Sequence, residues 1–219
     1  MFLRELVFGA NDGLVSNVSL VAGVAGATSE AKTVLLAGVA GMVAGAISMS
    51  LGAYISTKSE RELRESEERR ERWEVDHMPR EEQAEIRQIF RDKGISGPTL
   101  EAVVDQVTRN KEQWVRTMMQ DELGFPELPP QPVLAALVMG FAFLIGAAFP
   151  VVPFLFSAGA GALVASIGAT AAALFGVGAW RAYLTAGKVW RNALEMVALA
   201  AIAVVAANLI GRLVGVSIS

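Results

Sequence analysis

The sequence contains no cysteine and a single histidine, and these two shortages exclude several kinds of chemistry. Without cysteine there is no disulfide, no thiolate zinc site and no iron–sulfur cluster. A di-iron carboxylate oxidase uses Glu-x-x-His from each of two helices, and only His77 is available, three residues after Glu74. A Ser/His/Asp triad would also depend on His77, which stands beside the helix-breaking Pro79. We therefore expect no enzyme of these classes.

Charge is scarce over most of the chain. The net charge is −3, so no basic surface points to nucleic acid. Thirteen of the 19 Lys and Arg and 17 of the 22 Asp and Glu lie in residues 57–124, which leaves 11 charged residues elsewhere. A soluble domain needs a charged surface, so the remainder is expected to face lipid. The chain also lacks the Gly-x-x-x-x-Gly-Lys-[Ser/Thr] motif, so we expect no ATP hydrolysis of the usual kind.

Five apolar stretches are long enough to cross a bilayer, and the polar stretch lies between the second and the third. The sequence therefore predicts an all-α integral membrane protein in three parts: transmembrane helices 1 and 2 (1–56), a three-helix insert (57–124), and transmembrane helices 3 to 5 (125–219). The predicted spans are residues 6–27, 33–56, 133–156, 157–182 and 193–214. The insert helices are predicted at 58–76, 81–93 and 99–123.

Basic residues near the span ends predict the orientation. Arg4, the basic residues of the insert, Arg181, Lys188 and Arg191 lie on one side, against Lys32 and Arg212 on the other. The side richer in Lys and Arg is normally cytoplasmic. We therefore expect a cytoplasmic N-terminus and insert, and a C-terminus on the outer side.

Asp12 interrupts the first apolar run. Residues 14–27 would make a helix of roughly 21 Å, too short for a hydrocarbon core of about 30 Å, whereas residues 6–27 suffice. We therefore favour an Asp12 inside the membrane, and such a carboxylate is a candidate functional group. The alternatives are an aspartate that caps a helix beginning at Gly13 and an aspartate at the membrane interface.

The second span carries Gly41-x-x-x-Gly45, which favours close helix packing, and Met49. From the sequence alone, Met49 is better explained as packing filler than as a ligand.

The insert contains carboxylates and thioethers at helical spacing. Residues three or four apart share one helix face, which pairs Glu71 with Glu74, Glu82 with Glu85, and Met118 and Met119 with Glu122. Convergent carboxylates attract divalent cations, and thioethers add some preference for first-row transition metals. The alternative is an exposed, salt-bridged face, because arginines alternate with these glutamates. His77 is better explained as a solvated break residue than as a ligand.

Four motifs together resemble the vacuolar iron transporter family in its shorter bacterial form. They are Asn11-Asp12-Gly13-Leu14-Val15-Ser16, Ile47-Ser48-Met49-Ser50-Leu51-Gly52-Ala53-Tyr54, Lys58-Ser59-Glu60, and Met118-Met119-Gln120-Asp121-Glu122-Leu123-Gly124. The resemblance covers essentially the whole chain.

This resemblance implies a homodimer in the bacterial plasma membrane, with a path between protomers lined by the first two spans. It implies export of Fe²⁺, and often of Mn²⁺, in exchange for protons, with no permanently bound cofactor. Asp12 and Met49 would be pore residues. The cytoplasmic ligands would be Glu71, Glu74, Glu82, Glu85, Met118, Met119 and Glu122.

The sequence departs from the family pattern at Ala53, where many relatives carry a glutamate, so it does not identify the proton carrier. The role of Glu5, an acid before the Asp-Gly motif, is equally open. Carboxylate and thioether ligands do not rank Fe²⁺ against Mn²⁺, Co²⁺, Ni²⁺ or Zn²⁺. The competing hypotheses are a membrane-anchored metal buffer or sensor without flux, and a membrane ferroxidase, which the lone His77 disfavours.

Overall fold

A computed structural model describes residues 2–184 and 188–218, and all regular structure within them is helical. The elements, in chain order, are α1 (Leu3–Ala27), α2 (Ala31–His77), α3 (Pro79–Asp92), α4 (Gly97–Thr108), α5 (Lys111–Thr117), a π-helical turn (Met118–Glu122), α6 (Pro132–Val151), α7 (Pro153–Phe156), α8 (Gly159–Leu184) and α9 (Val189–Ile218).

Five of these helices are long and apolar enough to cross a membrane: Leu3–Ala27, Ala31–His77, Pro132–Val151, Gly159–Tyr183 and Val189–Gly215. The prediction of an all-α protein with five spans is confirmed. The chain divides into two compact units, residues 1–55 with 132–219 and residues 56–131. We call them the apolar unit and the polar unit. Helix α2 contributes its apolar first part to the former and its charged second part to the latter.

Helix α1 is the centre of the apolar unit and packs against α6, α8 and α9. Glycines make its closest contacts possible. A Cβ at Gly13 would lie 2.3 Å from the Phe143 carbonyl oxygen of α6, and one at Gly211 of α9 would lie 1.8 Å from the Gly23 carbonyl oxygen. Because apolar burial gives no driving force between helices in lipid, such close backbone approach supplies the packing energy.

Side-chain amides and hydroxyls add hydrogen bonds between these helices. Asn17 Nδ2 on α1 donates to the Ala147 carbonyl of α6 (2.8 Å), and Asn208 Nδ2 on α9 donates to the Ala22 carbonyl of α1 (2.8 Å). Ser166 Oγ on α8 donates to the Pro150 carbonyl of α6 (2.7 Å). Neutral donors of this kind hold helices together where water is absent.

The predicted third span, residues 133–156, is broken near its end. Helix α6 stops at Val151, and the short α7 starts at Pro153. Proline has no N–H to donate, so Pro153 cannot continue the hydrogen-bond ladder, and it occupies the first position of a new helix instead.

The polar unit folds around its own apolar core, made by residues from α2, α3, α4, α5 and the π-helical turn. The core residues are Val75, Ile86, Leu100, Val104, Val107, Trp114, Val115, Met118 and Met119. Ion pairs between helices surround this core, including Arg72 with Glu112 (2.6 Å) and Arg87 with Glu101 (3.0 Å).

The structure differs from the predicted insert in two places. The single helix expected at 99–123 is divided, because Asn110 accepts a hydrogen bond from the Gln113 N–H (3.1 Å) and so caps a new helix, α5. The polar unit also extends to Gln131 rather than Gly124. Arg64 of α2 donates to the carbonyls of Pro126 and Glu127, which ties the proline-rich linker to this unit.

Candidate metal centre

The structure brings together the five glutamates that the sequence singled out in the insert. Each lies close enough to others of the set to perturb their ionisation. We call this set the glutamate cluster: Glu71 and Glu74 from α2, Glu82 and Glu85 from α3, and Glu122 from the π-helical turn.

Two members of the cluster are almost completely buried, Glu71 with 2% and Glu82 with 3% of its surface exposed. In each, Oε2 is buried without a hydrogen-bond partner. Burial raises the pKa of Glu71 to about 7, helped by the charges of Glu122 and Glu74. Burial also raises the pKa of Glu82 to about 7, helped first by Glu85. A carboxylate kept dry beside other carboxylates is unstable unless a proton or a cation joins it.

Glu122 belongs to the same network. Burial raises its pKa, and the negative charges of Glu85 and Glu74 raise it further. Carboxylates that share a dry neighbourhood favour bound protons, and a cation that binds them would displace those protons.

The cluster is not a finished coordination shell. In the described ranges, no three Asp, Glu or His side chains are arranged so that they could hold a metal ion as they stand. The side chains share a neighbourhood, and rotamer changes are needed before several oxygens meet at the 2.0–2.6 Å distances, on the order of those in metal sites.

The two methionines lie in the apolar core of the polar unit. Met118 is fully buried and Met119 nearly so, and both pack with Val115 and Trp114. Met119 also borders a polar cavity of about 370 Å³ lined by Arg64, Glu68 and Arg72, outside the glutamate cluster. Their burial supports a packing role for both.

The Met118–Glu122 motif forms a π-helical turn, closed by the Leu123 N–H to the Met118 carbonyl (3.2 Å). π-Helical turns are rare and are frequent at functional sites. Nothing in the sequence signals this turn.

Sequence reasoning missed two participants, Glu67 and Arg70. Glu67 Oε2 is buried without a hydrogen-bond partner, although Arg70 lies 2.8 Å from it as an ion pair. The spacing of Glu67, Glu71 and Glu74 is i, i+4, i+7, so one helix face could have been recognised from the sequence.

His77 does not join the cluster in the described structure. Its ring stacks on Trp73 at 4.5 Å, and Nδ1 lies 2.7 Å from the Trp73 carbonyl oxygen. The His77 ring therefore interacts with the last turn of α2, just before the helix break at Pro79.

In the apolar unit, Asp12 lies ten residues into α1, which begins at Leu3, so it does not cap a helix starting at Gly13. Within residues 2–184 and 188–218 its carboxylate makes no hydrogen bond or ion pair. The Ser16 hydroxyl donates only to the Asp12 backbone carbonyl (2.6 Å). An intramembrane carboxylate without a protein partner is suited to bind a cation or a proton.

Met49 is half-buried and packs on α6 against Phe143 and Ala147. Gly13, next to Asp12, contacts the same two residues, since a Cβ there would lie 2.9 Å from the Ala147 nitrogen. Met49 and Gly13, the residue after Asp12, therefore pack against the same part of α6. The described contacts do not join the side chains of Asp12 and Met49 directly.

With this geometry in view, comparisons with known proteins identify the relatives. The VIT family model matches residues 3–212. Vacuolar iron transporter 1 of Arabidopsis thaliana is 35% identical over 214 residues, which is 97% of this chain and 86% of that protein. Vacuolar iron transporter 1 of Oryza sativa subsp. japonica is 34% identical over 207 residues, 94% of this chain and 82% of that protein. The vacuolar iron transporter of Toxoplasma gondii is 36% identical over 159 residues, 70% of this chain and 52% of that protein. The chain therefore belongs to the VIT family.

Proposed function

We propose that this protein transports Fe²⁺ across a membrane. The observation that carries the proposal is the family match over residues 3–212, in a chain with five spanning helices. The relatives are named as iron transporters, and the chain matches most of their length. Manganese is a second candidate substrate, because oxygen ligands bind Mn²⁺ and Fe²⁺ with similar preference.

The direction of transport is out of the cytosol, in exchange for protons, through the bacterial plasma membrane. The basic residues near the span ends support a cytoplasmic polar unit and N-terminus. Exchange for protons fits a carboxylate such as Asp12, which either holds a proton or binds a metal ion.

Asp12 and Met49 contribute ligands to the path. The path lies between two protomers, and α2 presents an apolar exposed face for a partner, with Leu36, Val43, Ile47 and Leu51 on it. Lipid would cover the same face equally well, so the homodimer depends on the family resemblance.

The glutamate cluster binds metal before transport. Glu71 and Glu82 supply buried, partnerless oxygens, and Glu74, Glu85 and Glu122 supply charge beside them. Met118 and Met119 would need to turn their sulfur atoms out of the apolar core to act as ligands.

The deciding experiment measures Fe²⁺ flux into proteoliposomes under anaerobic conditions, with a pH dye inside. An Fe²⁺ exporter carries metal, and a proton exchanger changes internal pH in step with the metal. The combined change Glu71→Ala, Glu74→Ala and Glu122→Ala should slow transport at low Fe²⁺ and leave it intact at high Fe²⁺.

The same assay separates the competing hypotheses. A buffer or sensor binds Fe²⁺ and shows no flux. A ferroxidase consumes oxygen when Fe²⁺ is added in air. Fe²⁺ flux without a change of internal pH would support the transporter hypothesis and exclude exchange of the metal for protons.

A further inference from the structure

One positively charged side chain, that of Arg70, lies within the glutamate cluster. The Arg70 guanidinium forms ion pairs with Glu67 (2.8 Å), Glu71 (3.4 Å) and Glu74 (3.6 Å). These acids occur one turn before Arg70, beside it and one turn after it on α2. Its charge also lowers the pKa of Glu71 and of Glu122, against the larger effect of burial.

Several other cations of the polar unit form ion pairs with acids outside the cluster. Arg72 pairs with Glu68 and Glu112, Lys93 with Asp121, and Lys111 with Asp76. Arg87 on α3 pairs with Glu101 on α4. Of the ion pairs in the described ranges, only those of Arg70 reach the cluster.

Arg70 and a metal ion would compete for the same oxygens. Glu71 has one oxygen near the guanidinium and the other buried without a partner. A divalent cation that binds Glu71 together with Glu74 meets a positive charge within a few ångströms. Arg70 can leave, because half of its side chain is already exposed (51%) and its long stem reaches solvent.

We propose that Arg70 is a tethered counter-ion that competes with the metal for the glutamate cluster, which weakens binding and speeds release. The inference rests on the proposed metal-binding role of the cluster and goes beyond it. Arg70 stabilises the metal-free carboxylates, moves aside when Fe²⁺ arrives, and returns to expel it. A carrier that delivers its metal onward benefits from a site that never binds too tightly.

The test compares Fe²⁺ binding by the full chain in nanodiscs, using anaerobic equilibrium dialysis at about pH 8, where glutamates with a pKa near 7 are mostly ionised. The double variant Glu71→Gln, Glu82→Gln gives the baseline without the cluster. We expect Arg70→Gln to tighten cluster-dependent binding by about tenfold, since it removes a like charge a few ångströms from the metal. A chelator chase should show slower Fe²⁺ release from Arg70→Gln.

Two variants serve as controls. Arg69→Gln removes the same charge from the neighbouring exposed residue, for which the described structure shows no ion pair, and solvent screening should keep its effect within about twofold. Arg70→Lys keeps the charge and should restore affinity close to that of the wild type. If Arg70→Gln failed to fold, Arg70→Ala, which removes the same charge with a smaller side chain, would test the competition by the same two measurements.

The outcomes are distinct. Equal or weaker binding in Arg70→Gln would overturn the role of Arg70 while leaving the metal site in place. Equal tightening in Arg69→Gln would attribute the effect to overall charge and would also overturn it. A wild-type protein that binds no more Fe²⁺ than the double variant would remove the metal site itself, and with it this inference.

Discussion

The apolar unit and the polar unit both bury polar side chains, but of different kinds. In the apolar unit the buried groups are neutral, and Asn17, Ser166 and Thr170 donate to backbone carbonyls. In the polar unit they are the carboxylates Glu71 and Glu82, each with an oxygen that lacks a partner. Neutral donors stabilise helix packing, whereas buried partnerless carboxylates destabilise a fold. The difference supports a structural role for the first set and the proposed metal-binding role for the second.

The apolar unit also contains carboxylates on α1, at Glu5 and Asp12, and changing Asp12 should have the largest effect. Asp12→Asn keeps the shape and removes the charge, so Fe²⁺ flux in proteoliposomes should fall by more than the roughly 10–100-fold that loss of a supporting group costs a metal site. Glu30→Gln, at an exposed turn between α1 and α2, should transport normally. Wild-type flux in Asp12→Asn would show that Asp12 is structural.

Close backbone approach is the second feature of the apolar unit, and Gly211→Ala should disturb it. The new Cβ would lie 1.8 Å from the Gly23 carbonyl oxygen, so α9 must move away from α1. We expect a loss of about 3 kcal/mol in the free energy of unfolding, at the upper end for overpacking. Thermal unfolding in detergent measures it.

Gly176→Ala on α8 is the matched control, because no atom lies within 4 Å of its added Cβ. Alanine there should be neutral or slightly stabilising. Similar melting temperatures for the two variants would contradict the packing argument.

In the polar unit, stability should depend on pH because of Glu71. Its folded-state pKa, about 7, is above the ordinary glutamate value of 4.5, so the folded state binds more protons between these values. The contribution of Glu71 to stability is therefore fully present below about pH 4.5 and is lost as the pH rises through about 7. At about pH 8, the free energy of unfolding of Glu71→Gln should exceed that of the wild type by roughly 2 kcal/mol, so the variant should unfold at a higher temperature. At about pH 5 the two proteins should unfold at the same temperature.

Added Fe²⁺ should reverse this order at the higher pH, because metal binding stabilises the wild type and not the variant. Glu112→Gln is the control, since Glu112 is paired with Arg72 at the surface. A wild type and Glu71→Gln with identical pH profiles would mean that Glu71 is solvated.

The amide links of the apolar unit should give the smallest effect. Asn208→Leu removes the hydrogen bond to the Ala22 carbonyl and should cost about 0.6 kcal/mol, typical for such bonds in membrane bundles. Thermal unfolding beside Leu209→Ala, an exposed neighbour on α9, measures the difference. A loss of several kcal/mol would show that α9 depends on this single bond.

The sequence predicted features that depend on local pattern. Apolar run length identified five spans, and i, i+3 spacing found Glu71, Glu74, Glu82 and Glu85, which the fold then brings together. It missed features that depend on tertiary contacts. The inclusion of residues 125–131 in the polar unit follows from Arg64, 62 residues before Pro126. The break at Asn110 is local, because the Asn110 side chain accepts from the Gln113 N–H three residues later, so this cap could have been recognised from the sequence.

Arg70 was overlooked for a related reason. An arginine among glutamates usually belongs to a solvated face, and only the burial of Glu71 beside it shows that this one serves a buried site.

Because of the π-helical turn at Met118–Glu122, the geometry of this segment depends on the number of its residues as well as on their types. The turn contains one residue more than an α-helix needs to close the same loop. Deleting Gln120 would let the helix continue with regular hydrogen bonds, a change that favours local helix stability. Each residue in an α-helix turns the chain by about 100°, so Glu122 would rotate away from Glu85 although every ligand remained in the sequence. In this segment the number of residues, and not their identity alone, sets which carboxylate faces Glu85.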